Sequence, residues 1–372
     1  MAGIYVHIPF CRKICSYCDF YKSTLVTLIP DYLTAINKEL EQRKNYLHDP
    51  VAETVYFGGG TPTLLKPSEI QDLIEKINSD YKLAEVYEIT LEANPDDLKP
   101  EYLQALYNDT SVNRLSIGIQ SFNDDDLKRL NRRHNSKQAL ESVKNARMAG
   151  FRNISIDLIY GIPQTNSWKR NLEILPEVEH ISAYHLTIEP GTLLSRQQSK
   201  GLISVIDENE STDQFNMLRE EADKRGLIHY EISNLAKPGY FSRHNTNYWK
   251  QKEYLGLGPS AHSFDLDSRQ WNISNLQQYI QALNNGENYS EKEILGEEEK
   301  FNEYVMLSLR TLWGADAVKI ERDFGVEKKD HFLNRIKRWL HTGHIFQEEN
   351  FFRMTPSGWL ISDYIMSSLM HA

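Results

Sequence analysis

The chain has 372 residues, which is long enough for one large domain and a smaller second one. Apolar residues make up 40% and charged residues 25%, as in an ordinary globular protein, while the formal net charge of −10 argues against a nucleic-acid backbone as a general partner. No apolar run approaches the length of a transmembrane segment and no secretory leader pattern is present, so we predict a reduced, cytoplasmic setting.

All three cysteines lie in one stretch near the N-terminus, YVHIPFCRKICSYCDF. Cys11, Cys15 and Cys18 follow a C-x3-C-x2-C spacing, which lets one loop turn three thiolates inward onto three corners of an iron–sulfur cube. Ferredoxin-type clusters take four thiolates, so one iron would keep an open coordination position for a substrate. Two alternatives are open at this point: a zinc site, for which His7 is the candidate fourth ligand, and inert buried thiols.

The next segments alternate between strand and helix patterns. Apolar residues recur at helical spacing from Ile29 to about residue 46, with Pro30 in the first turn. Residues 53–57 form a β-type run that ends in a triple glycine, and a second helical pattern begins near Pro67. A strand, a glycine loop and a helix in that order predict a βα unit whose loop exposes its backbone.

Four more strand-like runs follow at residues 87–92, 114–119, 154–159 and 181–188, with helical patterns between them. Repeated strand and helix units predict a parallel sheet covered by helices. About six such units fit before residue 200, so the predicted fold class is α/β, with a partial (β/α)6 barrel. Polar residues or glycine end the last four strands and are expected on one rim, where barrel active sites lie: Glu92, Gln120, Gly161 and Glu189.

The remaining chain predicts two further units. Residues 201–290 are less regular and extend the barrel of residues 1–200, with HNTNYW and GLGPSAHS as loops. The charged segment 291–300 reads as a linker. Residues 297–372 show the order helix, helix, β-hairpin, helix, which predicts a small α+β, winged-helix-like domain. Because the protein is acidic, we expect this domain to be a lid or a partner surface and not a DNA-binding module.

Ten motifs in a fixed order give the chain a family resemblance: YVHIPFC, GGGTPT, LEANPDD, IGIQSFN, LNRRH, IDLIYGIP, EPGT, HNTNYW, GLGPSAHS and MTPSGWL. They resemble the branch of the radical S-adenosylmethionine (SAM) superfamily that contains oxygen-independent coproporphyrinogen III oxidase and its haem-chaperone relatives. The resemblance implies a [4Fe–4S] cluster on Cys11, Cys15 and Cys18. It also implies that SAM chelates the open iron, where an electron from the cluster cleaves the sulfonium to a 5′-deoxyadenosyl radical.

The resemblance also implies contacts to SAM. Backbone of the glycine loop would approach the SAM amino group, Tyr17 would offer backbone atoms to the adenine, Tyr5 would lie near the sulfonium, and a carboxylate would accept hydrogen bonds from the ribose or amino group. The loop residues are Gly59, Gly60 and Thr61, and the carboxylate is Glu92. Without the resemblance, the glycines read equally well as a flexible turn and Tyr5 as an ordinary strand aromatic.

Three further residues match positions that serve a second SAM site in the oxidase: Gln120, Arg132 and Asp157. Haem, or no ligand, is an alternative occupant of that space here. The structural alternatives are a turn cap for Gln120, a basic helix pair of Arg132 with Arg133, and solvated strand ends for Asp157 and Glu92.

Two departures separate the chain from the oxidase. Phe20 stands where the oxidase has a fourth cysteine, and the chain begins four residues before Tyr5, without the oxidase's longer N-terminal extension. Both departures, and the HNTNYW motif, are those of the haem chaperones. The resemblance therefore implies that the protein binds haem and passes it to acceptor haemoproteins, with an electron donor such as a flavodoxin or a ferredoxin. Two alternatives remain open: decarboxylation of coproporphyrinogen III to protoporphyrinogen IX, and radical chemistry on another substrate.

In the chaperone interpretation, the histidine of HNTNYW is the expected axial ligand of haem. His244 can bind iron through an imidazole nitrogen, and Tyr248 and Trp249 can stack on the porphyrin. The alternative is a surface histidine that only makes hydrogen bonds. His262, in the glycine-rich motif GLGPSAHS, allows the same two interpretations.

Overall fold

The computed structural model describes residues 1–371, and six parallel strands form its centre. At least one helix lies in the chain between each of these strands and the next. The strands are β1 (Ala2–Ile8), β2 (Val51–Gly59), β3 (Lys82–Ala93), β4 (Arg114–Gln120), β5 (Asn153–Tyr160) and β6 (His180–His185). The predicted (β/α)6 unit is confirmed. Its last strand ends at His185, three residues before the end of the strand-like run at residues 181–188.

Helices cover the outside of the sheet. In the first of them, Tyr32, Ala35, Ile36 and Leu40 are fully buried, at the spacing of one helix face. Among residues 1–371, no helix combines the length and the apolar character that crossing a membrane requires. The helices are α1 (Ile29–Arg43), α2 (Pro67–Asp80), α3 (Pro100–Asp109), α4 (Asp124–Arg129), α5 (Ser136–Ala149), α6 (Trp168–Glu173), α7 (Leu193–Ser199), α8 (Glu208–Lys224), α9 (Arg243–Trp249) and α10 (Leu276–Asn285).

Residues 228–294 add strands to both sides of the six. The added strands are β7 (Ile228–Glu231), β8 (Asn234–Ala236), β9 (Tyr254–Leu257), β10 (His262–Phe264), β11 (Ser268–Asn272) and β12 (Ser290–Ile294). The sheet order is β12-β11-β10-β9-β1-β2-β3-β4-β5-β6-β8-β7, in which β9 is parallel to β1 and β8 is antiparallel to β6. The barrel is therefore open, with β12 and β7 as its edges.

Two sequence-based assignments in this region are wrong. The charged segment 291–300 is not a linker: β12 pairs with β11 from Ser290 to Ile294, and a helix begins at Glu297. An edge strand makes its backbone hydrogen bonds whatever its side chains are, and charged side chains protect such an edge from unwanted pairing. The HNTNYW segment is not a loop but most of α9, whose first turn is capped by the Ser242 hydroxyl, which accepts from the Asn245 amide.

The last part of the chain has its own hydrophobic core, built from side chains between Phe301 and Leu369. The predicted β-hairpin is present at residues 345–354, and its second strand also pairs with a short strand at residues 315–316. The elements are α11 (Glu297–Leu309), β13 (Ala315–Asp316), α12 (Ala317–His341), β14 (Ile345–Glu348), β15 (Phe351–Met354), α13 (Pro356–Trp359) and α14 (Ser362–Leu369). The division of the chain at residues 200, 290 and 297 stays a prediction.

Candidate functional site

Two cavities meet at the carboxyl ends of the parallel strands. The first, of about 480 Å³, is lined by the cysteine loop and by the ends of β2 to β6. The second, of about 750 Å³, lies between β1, α9, the β9–β10 region and α11. Their linings share Phe20, Tyr56, Glu92 and Tyr184 among others, so the two cavities adjoin. Both volumes are in the range of small-molecule sites.

The cysteine loop is fixed at several points by backbone hydrogen bonds. The Cys11 amide donates to the Ser23 carbonyl (2.9 Å), which closes the loop at its base. At its centre, the Ser16 amide donates to the Leu130 carbonyl (3.1 Å), and the Ser16 carbonyl accepts from the Leu194 amide (2.9 Å). This anchoring leaves the side chains of Cys11, Cys15 and Cys18 free, half-buried and facing the first cavity, as the cysteine spacing predicts.

Polar and cationic groups surround the thiols. The Thr61 hydroxyl lies 3.7 Å from Cys11 Sγ, and Arg132 Nη1 lies 3.1 Å from Cys15 Sγ. Burial raises the pKa of Cys11 and of Cys18, and nearby cations, Lys22 above all for Cys18, oppose that rise. Three thiols that form no disulfide, in a cationic and partly enclosed cavity, suit an iron–sulfur cluster, whose ligands are thiolates.

The glycine loop packs directly against the end of β1. A Cβ on Gly60 would lie 2.7 Å from the carbonyl oxygens of Ile8 and Phe10, and one on Gly59, where φ is +102°, would lie 2.4 Å from the His7 ring. These glycines are therefore required by the protein's own packing, independently of any ligand. Thr61 follows them, and its hydroxyl accepts from the Asn94 side chain (3.0 Å).

We expect Gly60→Ala to lower the free energy of unfolding by about 1–3 kcal/mol, because the new methyl overpacks against backbone that cannot move aside. Urea unfolding measures the change. Gly296→Ala is the matched control, since its Cβ would meet only the flexible Glu299 side chain. Equal unfolding midpoints for the two variants would contradict the packing argument.

Glu92 lies on the boundary between the cavities, near the end of β3. Its carboxylate accepts from the Tyr56 hydroxyl (2.8 Å) and from the Gly59 amide (3.1 Å). Burial raises the pKa of Glu92 to about 7, although both hydrogen bonds oppose the rise. A carboxylate with these two donors still has acceptor capacity for a ligand hydroxyl or amine, and a perturbed pKa in a cavity is typical of a functional site.

This raised pKa gives Glu92 a measurable effect on stability. The folded protein holds the proton more tightly than the unfolded chain, so stability is full below pH 4.5 and falls as the pH rises towards 7. We expect Glu92→Gln to be more stable than the parent at pH 8, by as much as about 3 kcal/mol, with little difference at pH 4. Denaturant unfolding across this pH range tests the sign, and the exposed Glu85→Gln on the same strand is the control. Parallel pH profiles for parent and Glu92→Gln would refute it.

The three residues matched to a second SAM site all line the first cavity. Gln120 ends β4 with a left-handed φ of +67°, which is unusual for a residue with a side chain. Asp157, on β5, accepts from the Ser116 hydroxyl (3.1 Å), and burial raises its pKa. Arg132 follows α4, where Nη2 donates to the Asn94 side chain and Nη1 approaches Cys15. In this structure Arg132 therefore contacts the cysteine loop itself.

Two residues of this cavity were missed by sequence reasoning. Arg114, at the start of β4, is only 1% exposed, and its Nε has no hydrogen-bond partner among the described residues. It faces the cavity near Glu92 and Asp157 and lowers the pKa of both against the effect of burial. Tyr56 orients Glu92. A charged residue that opens an apolar strand was the available signal for Arg114.

Tyr5 and His244 line the second cavity and not the first. The Tyr5 hydroxyl is hydrogen-bonded to His7 Nδ1 (3.0 Å). His244 is 2% exposed, so the surface alternative is wrong for it. Its Nδ1 is bonded to the Thr54 hydroxyl (2.8 Å) and its Nε2 to the Tyr248 hydroxyl (2.8 Å), so iron ligation by His244, which stays a prediction, requires one of these bonds to break.

The chain matches known proteins along its whole length. The family model of the radical SAM superfamily matches residues 5–172. The haem chaperone HemW of Bacillus subtilis is 32% identical over 100% of this chain and 99% of its own length, and HemW of Escherichia coli K12 is 35% identical over 70% of this chain and 69% of its own. The structure of coproporphyrinogen III oxidase (HemN) from Escherichia coli superimposes with a TM-score of 0.83 at 23% identity, covering 99% of this chain and 90% of that one.

The open (β/α)6 barrel, the three thiols on one loop and the superfamily match define a radical SAM protein. Proteins of this superfamily use a [4Fe–4S] cluster and SAM. Within it, this chain belongs to the HemW family.

Proposed function

We propose that this protein is a radical SAM haem chaperone, which binds haem in the second cavity and passes it to acceptor haemoproteins. The observation that carries the proposal is this cavity of about 750 Å³, which adjoins the thiol cavity and is lined by aromatic rings and histidines. Large apolar rings with a few polar groups suit a flat porphyrin. The names of the curated relatives support the same function.

In this proposal Cys11, Cys15 and Cys18 hold the cluster, and the first cavity holds SAM. When bound, the cluster supplies an electron to the SAM sulfonium. Glu92 accepts hydrogen bonds from SAM hydroxyl or amino groups, because its carboxylate faces this cavity and is already oriented by Tyr56. Gly59, Gly60, Thr61 and Tyr17 line the same space.

An electron donor is needed for that step, and the loop surface supports an acidic one, such as a flavodoxin or a ferredoxin. Arg12 and Lys13 are exposed on the cysteine loop, in a chain whose net charge is −10. Phe20, at the end of the same loop, is 67% exposed. Basic and apolar side chains exposed on the loop that carries the thiols favour encounter with an acidic partner. Thiols must be reduced to hold a cluster, and that requirement fits the proposed cytoplasmic setting.

The decisive experiment is anaerobic cluster reconstitution followed by two parallel incubations. One contains haem and is monitored through the Soret band; the other contains coproporphyrinogen III, SAM and a reductant and is analysed for porphyrin products. A saturable Soret band without decarboxylated product is the expected result. No haem uptake would refute the proposal.

The second candidate is oxygen-independent coproporphyrinogen III oxidation. It is favoured by one observation, that Gln120, Arg132 and Asp157 all face the first cavity together. Phe20 in place of a fourth cysteine counts against it. Product formation that depends on Cys11, Cys15 and Cys18 would establish this activity.

A further inference from the structure

Two of the three thiols are joined by a chain of side-chain hydrogen bonds that runs outside the cysteine loop. Arg132 Nη1 donates to Cys15 Sγ (3.1 Å), and Arg132 Nη2 donates to Asn94 Oδ1 (2.5 Å). Asn94 Nδ2 donates to the Thr61 hydroxyl (3.0 Å), which donates to Cys11 Sγ (3.7 Å). All of these side chains line the first cavity. We call Arg132, Asn94 and Thr61 the thiol relay.

Every hydrogen bond of the thiol relay is directed towards a sulfur atom. A guanidinium can only donate, so the Asn94 carbonyl oxygen faces Arg132 and the Asn94 amino group faces Thr61. The Thr61 oxygen accepts from Asn94, which leaves the hydroxyl hydrogen for Cys11. Hydrogen bonds arranged in one direction polarise one another. One guanidinium therefore acts on two sulfur atoms, directly on Cys15 and through two side chains on Cys11.

The positive charge of Arg132 has no carboxylate partner. Arg133, the next residue, pairs with Asp96 and Asp97 at 2.9 and 2.6 Å, whereas no carboxylate oxygen of residues 1–371 lies within 4 Å of the Arg132 guanidinium. Arg132 is partly buried, and a cation removed from water needs an opposite charge nearby. Thiolates that hold an iron–sulfur cluster would supply that charge.

Two structural roles do not account for the thiol relay. Asn94 precedes a short helical turn at residues 95–97, but its side chain makes no capping hydrogen bond there. The cysteine loop is already fixed by backbone hydrogen bonds at Cys11 and Ser16. Neither the helical turn nor the loop therefore requires the side chains of the relay.

We propose that the thiol relay raises the reduction potential of the iron–sulfur cluster, with Asn94 as the positioning residue that directs the Thr61 hydroxyl at Cys11. Hydrogen bonds to the ligating sulfur atoms and a nearby positive charge stabilise the reduced, more negative cluster. The step is a one-electron reduction, in which the electron comes from the acidic donor protein and no bond is made or broken. The inference rests on the proposed assignment of the cluster to the three thiols.

The test is a redox titration of the anaerobically reconstituted, full-length protein without SAM, with dithionite as the reductant and electron paramagnetic resonance of the reduced cluster as the signal. At the midpoint potential of the parent, we expect Thr61→Val to lower the ratio of reduced to oxidised cluster about threefold, the effect of one neutral hydrogen bond. Thr61→Ser keeps the hydroxyl and should match the parent. Thr63→Val is the matched control, because the Thr63 hydroxyl donates to Asp97 (3.2 Å) and not to a thiol.

Asn94→Asp tests the direction of the relay, because aspartate has no amino group to donate and would turn the Thr61 hydroxyl away from Cys11. The lost bond and the added negative charge should together lower the ratio about tenfold, which is a shift of about 59 mV for one electron. The double variant Asn94→Asp, Thr61→Val should have the midpoint potential of Asn94→Asp alone, because the hydroxyl has already left the sulfur. Additive shifts would mean that Asn94 acts independently of Thr61 and would overturn its positioning role.

The outcomes separate this inference from the proposed function. If the parent assembles no cluster, both fail. If the parent and the variants assemble full clusters with equal midpoint potentials, or if Thr63→Val shifts the potential as much as Thr61→Val does, the inference alone fails. If Thr61→Val assembles no cluster, Asn94→Asp decides, since it keeps the contact with Arg132, and a potential equal to that of the parent would overturn the inference.

Discussion

Replacing Cys18 with alanine is expected to abolish cluster assembly, the largest functional effect of any single substitution that we predict. The cysteine loop offers three thiols and the chain has no others, so a variant with two thiolates leaves two irons of a cube without a protein ligand. Iron and sulfide content and the visible absorbance of the anaerobically reconstituted protein should fall to background. Because SAM would bind the iron that has no protein ligand, reductive cleavage of SAM should disappear as well.

Arg12→Ala is the control, since Arg12 lies in the same loop but is exposed and does not line the first cavity. It should assemble a full cluster. Full iron content in Cys18→Ala would mean that another residue had replaced the thiolate, and the nearby histidine, His7, has both ring nitrogens engaged. That outcome would contradict the assignment of the loop.

The central fold was predictable because of how parallel strands are buried. Residues 114–119 and 154–159 lie in β4 and β5, which have neighbouring strands on both sides. Their apolar residues alternate along the strand and are buried (Leu115, Ile117, Ile154 and Ile156), whereas Ser116 and Asp157 line the first cavity. Strand ends on one rim follow from repeated strand and helix units. Of the four residues predicted on that rim, Glu92, Gln120 and Glu189 line the first cavity and Gly161 does not.

The added strands were not predictable in the same way. β12 carries Glu291, Lys292 and Glu293, and its place in the sheet depends on backbone bonds to β11, which leave no hydrophobic pattern in the sequence. The strands β7 and β8 have four and three residues. Such elements exist because the larger sheet offers an edge, and only the tertiary structure contains that information.

The side-chain contacts within the site were even less predictable from the sequence. Arg114 is buried in a cavity wall, whereas an arginine in a sequence is most often exposed. His244 was expected to offer a nitrogen to iron, but the register of β1 and β2 and the turn of α9 bring Thr54 and Tyr248 to its two nitrogens. A sequence motif identifies a histidine as a candidate ligand, but only the packing determines whether its ring nitrogens are free to bind iron.

Glu39 illustrates the same point for stability, because a single buried carboxylate joins four elements that are distant in sequence. It lies in α1 and is fully buried. Its oxygens accept from the Gly258 amide (2.8 Å) between β9 and β10, from Asn272 Nδ2 (2.7 Å) of β11 and from the Tyr279 hydroxyl (2.5 Å) of α10. Arg43, one turn further along α1, supplies the opposite charge at 3.5 Å.

We expect Glu39→Leu to lower the free energy of unfolding by about 3–5 kcal/mol, because it leaves the Arg43 guanidinium buried without its carboxylate and removes three acceptor contacts. Glu39→Gln should lose less, since the amide keeps one acceptor oxygen. Glu41→Ala, an exposed glutamate of the same helix that pairs with Lys44 and Lys76, should change stability little. Urea unfolding at neutral pH compares the three variants.

A second measurement connects this prediction to the candidate haem cavity. Gly258 begins the turn that leads to His262, so loss of the Glu39 acceptor should loosen that turn. Hydrogen exchange of the amides of residues 256–263 should accelerate in Glu39→Leu. The amides of β4 and β5, which lie four and five strands away from β9 in the sheet, should exchange only as fast as the loss of global stability allows. Uniform acceleration across the chain would show instead that Glu39 supports only global stability and does not specifically order the wall on which His262 lies.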